Sequence, residues 1–112
     1  MGNLQKLSEA DFDSEALGQG SPVLVDFYAD WCGPCRAMAP VVEQIATDMA
    51  DQIKVAQLDT DASPSIAMRY GIMSIPTLMI FHNGQRVDQL VGYPGPAGVK
   101  SWVERSLAKV AS

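Results

Sequence analysis

From Pro34 onward the apolar positions Met38, Val41, Val42, Ile45, Ala46 and Met49 recur at i, i+3, i+4, i+7, i+8 and i+11, the spacing of one helix face. Before them, Pro22 to Asp30 reads PVLVDFYAD, a β-branched and aromatic run without polar alternation. That pattern predicts a central strand buried on both faces. Asp26 alone interrupts it. After the helix, Ile53 to Asp59 (IKVAQLD) predicts a second strand, and the strand, helix, strand unit predicts parallel pairing with a right-handed crossover. Pro40 falls inside the helix and removes a hydrogen bond, so a kink is expected there.

The flanking segments carry clearer punctuation. Asn3 to Leu7 predicts a short edge strand, and Ser8 with Asp11 three residues on, together with Leu7 and Phe12 at staple spacing, marks a helix start that Gly18 closes. A second short helix is expected after Ser63 as N-cap, with Pro64 at its first position and Gly71 as its stop. Thr77 to Val91 (TLMIFHNGQRVDQLV) predicts a β-hairpin about Asn83-Gly84. A last helix repeats the apolar spacing at Val99, Trp102, Val103, Ser106, Leu107 and Val110. Together these elements predict a mixed sheet sandwiched by helices.

Composition narrows the function classes. A chain of 112 residues with 47% apolar positions suits one compact domain over residues 1–112. No stretch approaches the roughly 18 apolar residues of a membrane span, and MGNLQKLSE has no signal-like apolar run, so a soluble, cytoplasmic protein is expected. A net charge of −5 argues against a nucleic-acid or anionic-lipid footprint. With only two cysteines the chain cannot carry a multi-bridge framework, which leaves redox chemistry or a metal.

Both cysteines lie in DWCGPC, residues 30–35. Stepping the helical stripe back from Met38 lands on Cys35, which should face inward under the first turn. Cys32 lies outside the stripe near the N-cap, where unpaired N–H groups and the helix dipole stabilise a thiolate. Cys32 is therefore expected to be the exposed nucleophile and Cys35 the resolving thiol. Pro34 at the first helical position fixes their spacing, and Gly33 admits a second backbone. A zinc site would want four ligands, and His82 beside the hairpin turn is the only histidine, so only a second chain could complete it. An oxidase or isomerase working at higher potential and a noncatalytic binding module are the remaining alternatives.

The chain resembles the thioredoxin family over nearly its whole length. The resemblance rests on VLVDFYADWCGPC at 23–35, Pro40, YGIMSIPTLMIFHNG at 70–84 and VGY at 91–93, in the family's order and spacing. It implies an α/β thioredoxin fold, a central mixed sheet of about five strands flanked by about four helices. It also implies a monomeric general protein disulfide reductase, with client proteins and a thioredoxin reductase as partners. No metal or organic cofactor is implied, because the electrons come from NADPH through the reductase.

At residue level, Asp26 can be read as a structural carboxylate or as a base, and the resemblance implies the second: a buried carboxyl with a raised pKa that takes the Cys35 proton. Many relatives carry a lysine where this chain has Gln57, so the raised pKa is expected without a cation at 57. The resemblance also implies a cis Ile75-Pro76 bond that turns the Ile75 backbone toward an extended client, as an added strand. Trp31, Gly33, Pro34, Ile75 and Gly92 are expected to form the shallow apolar surface around Cys32.

Overall fold

The structure, a computed structural model, describes residues 4–111. Five strands form one sheet: β1 (Gln5–Leu7), β2 (Val23–Tyr28), β3 (Lys54–Asp59), β4 (Thr77–His82) and β5 (Gln85–Val91), in the spatial order β1-β3-β2-β4-β5. β1 and β2 both run parallel to β3, while β4 is antiparallel to β2 and β5 to β4. Three α-helices, α1 (Gly33–Asp48), α2 (Pro64–Arg69) and α3 (Pro96–Ala111), and a short π-helical segment at Asp13–Leu17 cover the faces. This is the mixed sheet with about four helices that the sequence predicts.

β2 lies at the centre, and its continuous apolar run follows from burial on both sides. Val23, Val25 and Phe27 point into one core with Phe12, Ala16, Ile66 and Phe81, under the π segment and α2. Leu24 points the other way, into a core with Met38, Val42 and Ile45 of α1 and Val99, Trp102 and Val103 of α3. Strand alternation then puts Asp26 on the α1 side, two residues beyond Leu24. The edges are short or polar, as edges exposed to further pairing tend to be.

Several boundaries differ from the sequence expectation for local reasons. β1 spans Gln5–Leu7, and Asn3 lies outside the described residues. Ser8 and Asp11 do pair, with the Ser8 N–H donating to Asp11 Oδ1 at 2.7 Å, but the turns that follow widen into a short π segment rather than forming a longer α-helix. Ser63 sits at the N-cap of α2 without using its side chain as a cap. Glu9, far away in sequence, supplies the acceptor: its Oε2 takes the Ser65 N–H at 2.9 Å. α1 continues through Pro40, which lies on its exposed side. The Asn83-Gly84 turn has both φ angles positive, at 54° and 81°, as a two-residue primed hairpin turn requires.

Candidate active site

β2 delivers the chain to the top of the sheet, and a tight turn joins it to α1, with the Cys32 N–H donating to the Ala29 carbonyl at 3.1 Å. Cys32 is the N-cap residue, its backbone extended at φ −87° and ψ 113°. Its sulfur accepts the Cys35 N–H at 3.2 Å. This is an orphan donor of the first helical turn, and on a thiolate it becomes a charge-assisted bond at the positive end of the dipole. Helix counting from Cys32 makes Pro34 the second helical residue, not the first, because Gly33 already belongs to α1. The proline still wastes no donor there. Cys32 and Cys35 form a disulfide, with Cα atoms 5.2 Å apart.

The expected contrast in exposure is not found. Cys32 and Cys35 are each only 4% exposed, packed together with Ala29 and flanked by Tyr28 and Ile75. The cover comes from the Ile75 loop, which a reading of helix periodicity alone does not include. What distinguishes the two sulfurs is position: Cys32 sits outside the helix on the donor-rich turn, and Cys35 faces the interior.

Beneath Cys35 lies a cavity of about 230 Å3 whose walls include Asp26, Gln57, Lys6, Tyr28 and Arg36. Asp26 is 2% exposed, and its Oδ1 has no hydrogen-bond partner among the described residues. Burial pushes its carboxyl up to about 7, against the ordinary 3.8. Tyr28 is likewise raised, first by burial and then by the carboxylates of Asp59, Asp30 and Asp26. A carboxyl that exchanges its proton near neutrality thus shares a cavity with the inner cysteine.

The second wall of the site is the loop before β4. The Ile75-Pro76 bond is cis, and Thr77 Oγ1 donates to the Ser74 carbonyl at 2.6 Å, closing the turn. None of the described residues hydrogen-bonds the Ile75 N–H or C=O. The Gly92 N–H donates to the Pro76 carbonyl at 2.8 Å and joins this loop to the end of β5. Gly92 has φ +90°, where an L side chain is strained. Trp31 is 69% exposed, yet its indole N–H is pinned to Asp61 Oδ2 at 2.8 Å. Gly33 and Pro34 are exposed on the same turn, and the space over Gly33 is open.

Cys32, Cys35, Ile75 and Asp26 are therefore brought together, with Trp31 and Gly92 at the margins. Three participants escaped the sequence reading: Lys6, which enters the cavity wall from β1; Asp61, which holds Trp31; and Met73, 93% exposed beside Ile75. An exposed methionine next to the SIPT turn was the available signal for the last. Lys6 and Asp61 depend on register and loop path, which local sequence does not carry. A larger cleft of about 500 Å3 between α1 and α3 includes no cysteine and no buried carboxylate in its walls. The chemistry is at the smaller cavity.

Comparison with known proteins agrees with this geometry. A sequence model of the family described as Thioredoxin matches residues 3–105. Thioredoxin 1 of Synechococcus elongatus is 58% identical over 86 residues, covering 77% of this chain and 80% of that protein. The thioredoxin of Porphyra purpurea is 47% identical over 110 residues, covering 98% of this chain and 99% of its own length. A chloroplastic M-type thioredoxin of Pisum sativum is 43% identical over 91% of this chain and 59% of its own.

Proposed function

Because the chain belongs to the thioredoxin family and is a thiol-disulfide oxidoreductase, we propose that it acts as a general protein disulfide reductase, a single-domain monomer recharged from NADPH by a thioredoxin reductase in the cytoplasm. One observation carries the assignment of roles: the Cys32 sulfur receives the Cys35 N–H at the helix N-cap, while Cys35 shares its cavity with Asp26. That asymmetry supports Cys32 as nucleophile. In the reduced protein its thiolate attacks one sulfur of a client disulfide. The client S–S bond breaks, the other client sulfur leaves as a thiolate that takes a proton from water, and a mixed disulfide forms.

Cys35 then gives its proton to the Asp26 carboxylate and attacks the Cys32 sulfur; the mixed disulfide breaks, the internal disulfide closes, and the client sulfur first attacked leaves as a thiolate that takes a proton from solvent. The client gains two electrons and the chain loses two. Ile75 offers its unengaged N–H and C=O to the client backbone as an added strand. Trp31, Gly33, Pro34, Pro76 and Gly92 shape the surface around it. Among the described residues no helix is long and apolar enough to cross a membrane.

Trapping tests the roles. Cys35→Ser should accumulate mixed disulfides with clients on Cys32, and Cys32→Ser should accumulate none and fail to reduce insulin. Insulin reduction by Cys32→Ser would reverse the assignment. A potential near about −180 mV, that of protein disulfide isomerase, rather than near thioredoxin's roughly −270 mV, would favour an oxidase instead.

A further inference from the structure

The sheet register aligns three polar residues under α1. Asp26 in β2 is paired with Gln57 in β3, and Gln57 with Lys6 in β1. Directly paired residues project from the same face of a sheet, and all three do line the cavity that holds Cys35. Both ends of this row are incomplete. Asp26 Oδ1 is buried without a partner. The Lys6 ammonium has no ion pair or hydrogen bond among the described residues. Two strand spacings, about 9.6 Å, separate the two backbones, a gap that a lysine's four-carbon stem largely spans when it leans across Gln57.

We propose that Lys6 is a positioning residue for the Asp26 carboxylate: its ammonium folds over Gln57 into the cavity when Asp26 is ionised and returns to solvent when Asp26 is protonated. This rests on Asp26 being the acceptor of the Cys35 proton. An ionised aspartate sealed under α1 with one oxygen unpartnered is costly, and a nearby cation lowers that cost. The result is a larger ionised fraction at neutral pH, hence more enzyme ready to deprotonate Cys35. Burial alone would leave Asp26 about half protonated near pH 7.

The other charges facing the cavity do not serve this purpose. Asp30 in the cavity wall, and Asp59 beside Tyr28, are carboxylates and offer no counter-charge to Asp26. From α1, Arg36 is tied by its guanidinium to the Asp30 carbonyl at 2.8 Å, at the rim. From β4, the partner of Asp26 is the apolar Leu78. Lys6 is the cation left uncommitted.

The test is an NMR titration of the Asp26 side-chain carboxyl in the reduced full-length protein, with Lys6→Gln, Lys6→Glu and Lys6→Arg alongside the parent. Lys6→Gln should raise the Asp26 midpoint by about one pH unit, the effect of a unit charge about 6 Å away at an effective dielectric of about 40. Lys6→Glu should raise it further, and Lys6→Arg should leave it in place. The pH profile of insulin reduction should move with the midpoint. An unchanged midpoint in both Lys6→Gln and Lys6→Glu, with the chemical shifts of the sheet preserved, overturns the proposal. Asp26→Asn keeps the two ideas apart: an undisturbed pH profile in that variant defeats the proton-acceptor reading, whereas the carboxyl midpoint reports on Lys6 directly. In the Asp26→Asn background, Lys6→Gln should no longer alter the rate.

Discussion

An aspartate buried in the central strand of the sheet is held there at a thermodynamic cost whose size depends on pH. Asp26 has its carboxyl raised by burial from the ordinary 3.8 to about 7, so the folded protein keeps a proton that the unfolded chain has already released. The stability this group contributes is complete below about pH 3.8 and is lost as pH rises through 7. Asp26→Asn keeps the shape and removes the titration. It should therefore be more stable than the parent at pH 8 by roughly 2–4 kcal/mol, with the gap closing below pH 4. On its proposed role as proton acceptor, Asp26→Asn should also reduce insulin more slowly near pH 7, by about 100-fold or more. Urea unfolding at the two pH values and an insulin assay check both; equal stability of the two proteins at pH 8 would contradict the raised carboxyl. Asp26 was legible in the sequence as the one charge inside the apolar run VLVDFY of the central strand. Lys6 was not, since only the register of β1 on β3 brings it to the same cavity.

At the scale of elements, the ends of helices were legible where the cap is local and hidden where it is remote. Cys32 declares itself as an N-cap through the residues that follow it, whereas α2 is capped by Glu9 from across the molecule. Glu9→Ala should speed amide exchange at Ser65, with the Ser65 hydroxyl losing the same acceptor. Unchanged protection there would show that the cap is idle. A second remote tie joins β5 to α3: the buried Ser106 hydroxyl lies 2.6 Å from Asp88 Oδ2, which also takes the Lys109 ammonium at 2.9 Å. Burial pushes the Asp88 carboxyl up, but the bonds from Ser106, Lys109 and the Gln89 N–H outweigh it and hold the group down at about 2. A depressed carboxyl stabilises above the unfolded value and loses that contribution as pH falls from about 4 to 2. Ser106→Ala should cost about 1–2 kcal/mol at pH 7 and flatten the acid limb of the stability profile, both read from thermal unfolding between pH 2 and 7. From sequence, Ser106 looked like one more position on an apolar stripe; its role depends on where the β5 bulge at Val87, opposite Ile80 and Phe81 of β4, sets Asp88.

For the whole molecule, the order of periodic segments was enough to predict the layers, because each apolar face had one partner able to bury it. The path of the loop over the cysteines was not, and with it went the expected exposure of Cys32. The same overall arrangement determines the field that a client meets. The chain carries a net charge of −5. Around the cysteines, Asp30, Asp59 and Asp61 lie near Tyr28 and Trp31, with the Arg36 guanidinium bonded to the Asp30 carbonyl among them. On the proposed docking at Ile75, a client crosses this acidic surface first, so charge should act on the rate of encounter more than on the chemical step. A basic client peptide should be reduced faster at low salt and slow several-fold as ionic strength rises from about 0.01 to 0.5 M, as the Debye length contracts from about 30 Å to a few ångströms. An acidic peptide of the same disulfide and length should show the reverse trend. Stopped-flow mixing of the reduced protein with both peptides, following the change in Trp31 fluorescence, separates the cases. Identical salt dependence for the two would mean that the acidic rim plays no part in how clients are met.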